Sequence, residues 1–224
     1  MKINIAIDGP GAAGKSTIAK CLAKKLNYVH LDTGAMYRST AYKALQNHIC
    51  LEDEEAVCKM LENTKIQLAT DGSVFLDGED VSDKIRTNEI SLAASLVSKL
   101  ANVRRMLVER QQEMAKEKGF IMDGRDIGTV VLTDAEVKIY MTASPMARAK
   151  RRYEQNIAKN IPTGSIEEIA KEIAERDLQD MTRENSPLKK ADDAVEIDTS
   201  DMSIEEVTEY IYRLAKPFIE KEVL

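Results

Sequence analysis

A glycine-rich octapeptide that follows a short apolar segment limits the possible folds of this chain more than any other feature. Residues 9–16 read Gly-Pro-Gly-Ala-Ala-Gly-Lys-Ser and fit the pattern G-x-x-x-x-G-K-[ST]. Residues 3–7 before it are typical of a buried strand, and Ile18, Leu22 and Leu26 after it recur at helical spacing. In such a strand–loop–helix unit the glycines let backbone N–H groups surround a phosphate. The octapeptide therefore predicts a phosphate-binding loop.

The same loop predicts how a nucleotide is held. The Lys15 ammonium reaches the β- and γ-phosphates, and the Ser16 hydroxyl is a ligand for Mg²⁺. Composition alone produces such a match in about one chain of this length in a hundred, and the strand and helix around it make chance rarer still. The residues predicted to bind the nucleotide are Gly9, Pro10, Gly11, Ala12, Ala13, Gly14, Lys15, Ser16 and Thr17.

Strand-like and helical segments alternate along most of the chain. Apolar runs typical of strands occupy residues 3–7, 28–31, 120–122, 137–141 and 194–197. After the first helix, helical spacing recurs at residues 36–46, 52–62, 90–101, 103–118, 145–158, 166–181 and 204–216. This alternation predicts an α/β fold in which helices cover both faces of a five-stranded parallel sheet.

A small antiparallel element interrupts the alternation. The strand-like runs 66–69 and 74–76 are bounded by Asp-Gly pairs at 71–72 and 77–78, and such pairs favour tight hairpin turns. We interpret residues 63–100 as an insertion within a single domain that spans residues 1–224.

Composition excludes several classes of function. The chain has a formal net charge of −6 and no tryptophan, which argues against a broad nucleic-acid surface. Its three cysteines form no Cys-x-x-Cys pair, and the only histidines are His30 and His48, so a zinc site is not expected. Unpaired cysteines suit a reducing cytoplasm.

The start of the chain and its apolar runs bear on localisation. Residues 1–7 lead directly into strand-like sequence, and no apolar run approaches the about 18 residues of a membrane span. We therefore expect a cytoplasmic protein with neither signal peptide nor membrane partner.

A phosphate-binding loop alone does not separate a kinase from a GTPase. GTPases usually carry D-x-x-G and [NT]-K-x-D downstream of the loop. No D-x-x-G follows it here, and Lys189-Lys190-Ala191-Asp192 lacks the leading Asn or Thr. The sequence therefore disfavours a GTPase switch protein.

Several arginines point to an acceptor that is already phosphorylated. A kinase for such an acceptor must neutralise many negative oxygens at one place, and arginine is always charged and binds bidentately. The arginines that stand out by position are Arg38, Arg104, Arg125, Arg176 and Arg183. Arg125 lies just past the strand at 120–122, where the carboxyl ends of parallel strands line a ligand crevice. Asp123 ends that strand, either as a carboxylate that orients Mg²⁺ through water or as a turn residue before Gly124.

The helix at 166–181 changes character along one side. At about 100° per residue, Arg176, Asp180 and Arg183 fall on nearly the same side as Ile169 and Ile173. Either this stripe carries a binding site, or the helix leaves the core and Arg176 and Asp180 form an exposed ion pair. The pattern alone leaves both interpretations open.

A basic run follows the helix start at Ser144-Pro145. Arg148, Arg151 and Arg152 have i, i+3, i+4 spacing and form either a solvated face or a mobile flap over polyphosphate. We favour the flap, because phosphoryl transfer requires that water be excluded and charge be offset.

Taken together, these segments resemble the bacterial cytidylate kinases. The resemblance rests on residues 9–16, 31–38 (Leu-Asp-Thr-Gly-Ala-Met-Tyr-Arg), 77–82, 85–87, 122–131 (Met-Asp-Gly-Arg-Asp-Ile-Gly-Thr-Val-Val), 175–177 and 186–188. It runs almost from end to end, and the Asp-Gly-Arg-Asp run and the Asp-Gly insertion are specific to this family among nucleoside monophosphate kinases. It implies a P-loop kinase fold with a monophosphate-binding insertion at 63–100 and a helical lid at 148–172.

The resemblance also implies the chemistry and the residues that perform it. The expected reaction moves the γ-phosphoryl group of ATP to CMP or dCMP, with Mg²⁺ held at Ser16. Lys15, Arg38, Arg125 and Arg183 are implied to be catalytic, and the three arginines hold the acceptor and transferring phosphates. Thr33 is implied to lie beside the acceptor, while Ser95, Arg104 and Asp126 read cytosine and Arg176 and Asp180 lie near the sugar hydroxyls. Without the resemblance, Ser95 would be interpreted as a small helix residue.

Two other functions remain open on the sequence alone. One is a kinase for a different small acceptor, such as another nucleotide or a sugar acid. The other is a non-catalytic nucleotide-binding regulator, which the full set of loop, acceptor and lid residues disfavours. We expect a monomer whose partners are small nucleotides and not nucleic acid.

Overall fold

Five parallel strands form the central sheet of the computed structural model, which describes residues 1–69, 71–158 and 160–220. With the three strands of a second, smaller sheet, the described residues contain eight strands, which are β1 (Ile5–Asp8), β2 (Val29–Asp32), β3 (Ile66–Leu68), β4 (Val74–Leu76), β5 (Glu79–Asp80), β6 (Phe120–Gly124), β7 (Val137–Thr142) and β8 (Val195–Asp198). The central sheet has the order β2-β6-β1-β7-β8. All four residues of β1 are buried, as expected for a central parallel strand that is covered on both faces. The predicted fold class is confirmed.

Helices cover both faces of this sheet. They are α1 (Lys15–Leu26), α2 (Thr33–Gln46), α3 (Glu54–Glu62), α4 (Asn88–Val97), α5 (Ala101–Ala115), α6 (Pro145–Ala158), α7 (Ile166–Thr182) and α8 (Ile204–Ile219). Ile5 and Ile7 share one core with Leu22 of α1 and Ile211 of α8. Ala6, whose side chain points the other way, belongs to the core that contains α2 and α5.

The register of the sheet brings polar strand ends together. Asp8 at the end of β1 lies beside Gly124 of β6 and Tyr140 of β7. Asp32 at the end of β2 lies beside Asp123 of β6. The carboxyl ends of β1, β2 and β6 therefore meet at one edge of the sheet, where ligands bind in open α/β folds.

The insertion is a separate antiparallel sheet of β3, β4 and β5. Asp77 and Gly78, between β4 and β5, have φ angles of +52° and +92°, as an Asp-Gly hairpin turn requires. Ile85, which follows this sheet, is fully buried in the same core as Met36 of α2. Within residues 63–100, Thr70 lies outside the described residues.

The predicted boundary between the helices near residue 100 is wrong. Helical spacing placed one helix at 90–101 and the next at 103–118, but α4 ends at Val97 and α5 begins at Ala101. The Ser98 hydroxyl donates to the Ser95 carbonyl (2.9 Å), and the Ser98 carbonyl accepts from the Arg104 guanidinium (3.1 Å). These bonds satisfy groups at the end of α4 that a longer helix would have paired internally.

A π-helical turn at Ile127–Val131 follows β6 and was not predicted from the sequence. The Asp8 carboxylate accepts from the backbone N–H groups of Ile127 (2.8 Å) and Gly128 (2.7 Å) at the start of this turn. The turn therefore depends on a side chain more than 100 residues away in the chain.

Helices α6 and α7, which the sequence analysis predicts to be the lid, have a small core of their own. Ala149 of α6 packs with Ile169 and Ile173 of α7, apart from the two sheet cores. Ser144 precedes Pro145 at the start of α6, as predicted, and its hydroxyl accepts from the Ala147 N–H (3.2 Å). No helix in the described ranges combines the length and apolar character needed to cross a membrane.

Candidate active site

A cavity of about 600 Å³ lies at the carboxyl ends of the central strands. Most of the predicted site residues line it, namely Gly11, Ala12, Ala13, Gly14, Lys15, Ser16, Thr17, Thr33, Arg38, Ser95, Arg104, Arg125, Asp126, Arg151, Arg152, Arg176, Asp180 and Arg183. Gly9, Pro10 and Arg148 are not among the lining residues. The fold thus brings together side chains that are spread over more than 170 positions of the chain.

The phosphate-binding loop needs glycine at its two ends. A Cβ at Gly9 would lie 2.0 Å from the Met141 carbonyl oxygen of β7, so a side chain has no room there. Gly14 has a φ of +92°, which is strained for residues with a side chain. Lys15, at the start of α1, donates from Nζ to the Pro10 carbonyl (2.6 Å). Burial and then the nearby Arg125 lower the pKa of Lys15 to about 7.

Asp123 connects the loop to the neighbouring strand. Its Oδ2 accepts from the Ser16 hydroxyl (2.7 Å), and its Oδ1 lies 2.6 Å from Nε2 of His30 in β2. Asp123 belongs to β6, so its interpretation as a turn residue is wrong. The carboxylate thus lies within hydrogen-bonding distance of both the loop serine and His30.

One end of the cavity is formed by the start of α2. Asp32 caps this helix by accepting from the Ala35 N–H (3.0 Å) and also accepts from Arg38 (2.9 Å). Burial opposes ionisation of Asp32, but the Arg38 guanidinium lowers the pKa of this carboxyl below its usual value. The Thr33 hydroxyl donates to the Asp123 carbonyl (2.8 Å). Arg38 is thereby held at the cavity by an anchored partner.

A buried ion pair between Arg104 of α5 and Asp126 lies at the same end. Arg104 also lies over the Tyr37 ring, 5.3 Å from its centroid. Ser95 is buried nearby, and its hydroxyl donates to the Ser91 carbonyl (3.3 Å). The site therefore offers a guanidinium donor, a carboxylate acceptor and a hydroxyl within one wall, a combination suited to the edge of a heterocyclic base.

The charged stripe of α7 faces the cavity. Asp180 is only 6 % exposed and accepts from Nε of Arg125 (2.8 Å). Its other oxygen lies 3.6 Å from the Arg183 guanidinium. Burial opposes ionisation of Asp180, but Arg125 lowers its pKa. The interpretation of Arg176 and Asp180 as an exposed ion pair is therefore wrong, because both side chains line the cavity.

Arg148 does not lie where it was predicted, in a flap over polyphosphate. It is buried, forms an ion pair with Asp177 and donates to the carbonyls of Gly11 (3.1 Å) and Ala143 (3.0 Å). Asp177 also accepts from the Gly11 N–H (3.1 Å). Arg148 and Asp177 together link α6 and α7 to Gly11 of the phosphate loop. Asp177 neutralises the Arg148 guanidinium, which does not line the cavity.

The two other lid arginines do line the cavity. Arg151 donates to the Thr199 hydroxyl (3.1 Å) and to the Thr199 carbonyl. Arg152 is close enough to Arg38 and Arg125 for their charges, together with its own burial, to lower its pKa. Of the three arginines predicted for the flap, Arg151 and Arg152 therefore line the cavity and Arg148 does not.

The cavity holds more positive charge than its carboxylates satisfy. Guanidinium nitrogens without a hydrogen-bond partner among the described residues belong to Arg38, Arg104, Arg152, Arg176 and Arg183. Burial and then Arg125 lower the pKa of Arg176 to about 10. Burial and then Arg104 lower the pKa of Arg183. Cations that repel one another and retain free donors are suited to bind a multiply charged anion.

Sequence reasoning missed four residues of the site. Asp8, His30, Asp32 and Asp177 were assigned no role. His30, Asp32 and Asp177 each form a hydrogen bond with a residue that lines the cavity. Asp8 holds the turn that follows Arg125 and Asp126. The position of Asp8 and Asp32 at the ends of apolar runs is a signal that could have found them, since strand ends line the crevice. No local pattern marks His30 or Asp177.

Comparison with known proteins assigns this chain to a family. The profile of the family described as cytidylate kinase matches residues 5–217. The chain is 53 % identical over 215 residues to the cytidylate kinase of Geobacillus sp. (strain WCH70), an alignment that covers 95 % of this chain and 96 % of that one. It is also 53 % identical over 213 residues to the cytidylate kinase of Bacillus cereus (strain AH187), with 94 % of each chain covered.

Solved structures share the fold at low sequence identity. A shikimate kinase from Acinetobacter baumannii, in complex with shikimate, gives a TM-score of 0.50 at 15 % identity and covers 99 % of this chain and 97 % of its own. An uncharacterized protein from Eubacterium ventriosum ATCC 27560 gives 0.54 at 13 % identity, with 97 % and 99 % covered. These similarities support the P-loop kinase fold alone.

Proposed function

Because the chain belongs to the cytidylate kinase family and transfers the γ-phosphoryl group of ATP to CMP or dCMP, we propose that this transfer takes place in the cavity at the carboxyl ends of the central strands. The single observation that supports this location most strongly is the surplus of buried guanidinium groups beside the phosphate loop. Two nucleotides that exchange a phosphoryl group bring several negative oxygens to one place, which such a surplus would neutralise.

In this proposal Lys15, Arg38, Arg125 and Arg183 are the catalytic residues. The acceptor phosphate already carries its nucleophilic oxygen, so no general base is needed. Lys15 and the loop N–H groups hold the donor phosphates, and the arginines hold the acceptor phosphate and the group in transit. Catalysis then consists of positioning and charge neutralisation. Asp180 anchors Arg125 at 2.8 Å, which supports a fixed orientation for that guanidinium.

The oxygen donors at Ser16 fit a Mg²⁺ ion that arrives with ATP. The Ser16 hydroxyl donates its hydrogen to Asp123 (2.7 Å) and so keeps its lone pairs for a cation. Within the described ranges no group of three or more His, Cys, Asp or Glu side chains could hold a metal ion, so further ligands would come from the phosphates. Bound there, Mg²⁺ would neutralise and orient phosphate oxygens.

We assign base recognition to the wall formed by Ser95, Arg104 and Asp126. Cytosine presents an amine donor at position 4 and a bare acceptor at N3, which a carboxylate and a guanidinium complement. Uracil presents the reverse at both positions. Thr33 lies beside the acceptor, and Arg176 and Asp180 reach the sugar hydroxyls.

The remaining assignments follow the family. Residues 63–100 would bind the monophosphate, and residues 148–172 would form the lid. Thr70 and Lys159 of these segments lie outside the described residues, as do residues 221–224 of the proposed single domain. We propose that the protein works as a cytoplasmic monomer on small nucleotides, without a nucleic-acid partner.

A coupled assay of ADP release tests this proposal. ATP with Mg²⁺ is supplied with CMP, dCMP, UMP or AMP, and a reaction without acceptor is the control. CMP and dCMP should be turned over with kcat/KM at least about 30-fold above that for UMP. Binding of ATP without turnover of any acceptor would support a regulator instead, and a preference for UMP or AMP would overturn the assigned base site.

A further inference from the structure

Both oxygens of the buried Asp123 carboxylate have an assigned donor. The Ser16 hydroxyl donates to Oδ2 (2.7 Å), and His30 Nε2 lies 2.6 Å from Oδ1. Because an ionised carboxylate only accepts hydrogen bonds, Nε2 carries the hydrogen in this pair. The Asp123 and His30 side chains are 5 % and 6 % exposed, so little water is available to replace either bond.

The strand register explains why His30 reaches this carboxylate. β2 and β6 are parallel neighbours, with His30 beside Ile121 and Asp32 beside Asp123. His30 and Asp32 lie on the same side of β2, and the imidazole extends along the strand toward Asp123. A carboxylate held at both oxygens has one orientation, whereas one held at a single oxygen can rotate.

We propose that His30 is a positioning residue of the phosphoryl-transfer site. It holds Asp123 in the orientation that receives the Ser16 hydrogen, and so keeps the Ser16 lone pairs directed to the divalent cation. This inference rests on the proposed function, because it takes Ser16 as a residue that holds the cation and Asp123 as the carboxylate that orients Ser16. His30 itself touches neither the cation nor the nucleotides.

Binding of Mn²⁺ in the presence of ADP, followed by electron paramagnetic resonance, tests the inference without turnover. The His30→Leu variant removes the donor at nearly constant volume, and His30→Gln places an amide N–H at about the reach of Nε2. We expect His30→Leu to bind Mn²⁺ about 10- to 100-fold more weakly and His30→Gln to recover most of the loss. ADP affinity in EDTA should stay unchanged in both variants, because the phosphate loop is intact.

Further variants make every outcome decisive. Asp123→Asn tests the cation site itself: if Mn²⁺ binding is unchanged in Asp123→Asn, the proposed Ser16–Asp123 site is wrong. If Asp123→Asn weakens Mn²⁺ binding and His30→Leu does not, the site stands and the role of His30 is overturned. Should His30→Leu fail to fold, His30→Asn replaces it, since its amide falls about 1 Å short of Nε2. Equal Mn²⁺ affinity in His30→Asn and His30→Gln would then refute the inference.

Discussion

Aspartates at strand ends perform different tasks because their partners differ. Asp8 holds two backbone N–H groups, Asp32 holds Arg38, and Asp123 holds Ser16 and His30. The same residue type thus shapes a turn, anchors a cation and prepares a ligand site. Lys15 differs from these aspartates, because its side chain is a buried ammonium whose hydrogen-bond partner is a backbone carbonyl oxygen.

Replacement of this ammonium tests the phosphate loop. In Lys15→Ala we expect kcat to fall by on the order of 10³-fold with the fold intact, because the charge acts mainly in the transition state. Lys24→Ala, which removes an exposed lysine of the same helix, is the matched control. Steady-state kinetics of both variants decide the matter, and near-normal kcat in Lys15→Ala would refute the loop mechanism.

Asp8 predicts a pH-dependent contribution to stability. Burial raises its pKa from 3.8 to about 6, although Gly128 and Ile127 N–H groups oppose the shift. The folded protein therefore binds this proton more tightly than the unfolded chain, so the stabilisation is complete below about pH 4 and is lost as the pH rises to about 6. The unfolding free energy of the wild type relative to Asp8→Asn should fall by about 3 kcal/mol over this window. Urea unfolding at several pH values measures it, and a constant difference would contradict the account.

At the scale of elements, α7 combines two functions on one helix. Its first half packs Ile169 and Ile173 against α6, and its second half directs Asp180 at Arg125 and Arg183. Asp177 between them contacts the phosphate loop through Gly11. Movement of this helix therefore changes the lid, the loop and the arginines together.

The Asp180→Ala variant distinguishes a role of Asp180 in the site from a role in an exposed salt bridge. Asp180→Ala frees both arginines and removes an acceptor near the sugar, so kcat/KM for CMP and dCMP should fall about 10- to 100-fold. Glu175→Ala removes an exposed carboxylate of the same helix and should leave both values within about twofold. If Asp180→Ala behaves like its control, Asp180 does not belong to the site.

The lid should open more readily than the sheet cores. Its separate core contains three buried apolar residues, Ala149, Ile169 and Ile173, so local opening requires little apolar exposure. Binding of an ATP analogue with CMP adds anionic partners for Arg151 and Arg152 and should slow amide exchange across residues 148–172. α3 is the internal control, and equal exchange with and without ligands would argue against closure of the lid.

For the whole molecule, the sequence predicted the features that depend on residues close together in the chain. The phosphate loop follows from glycine, lysine and serine at fixed spacing, and the sheet follows from alternating strands and helices. The cavity-facing stripe of α7 was visible as periodicity, although its meaning stayed open until Asp180 was placed beside Arg125. Contacts between distant residues left no local trace.

Three such contacts had no signal in the sequence. Arg104 satisfies the Ser98 carbonyl and so moves the boundary between α4 and α5. Asp177 neutralises Arg148, which the spacing of the lid arginines had placed over polyphosphate. His30 entered the sequence analysis only as one of two histidines too few for a zinc site, yet it contacts Asp123 across 93 positions of the chain.

The central claim is that one wall of this cavity selects cytosine while the phosphate loop and arginines transfer the phosphoryl group. In the proposed base site, Asp126 would accept from the cytosine amine and Arg104 would donate to N3. With uracil both pairings become repulsive, which costs about 2–3 kcal/mol, or about 30- to 150-fold in kcat/KM.

The ratio of kcat/KM for CMP over UMP, measured on the wild type and on Asp126→Asn, tests this claim most directly. The amide that this substitution introduces can rotate to donate to the uracil carbonyl, and it no longer neutralises Arg104 as the carboxylate does. We predict a wild-type ratio of at least about 30 and a much smaller ratio in the variant, chiefly because CMP is used less well. An unchanged ratio in Asp126→Asn would show that this carboxylate does not read the base.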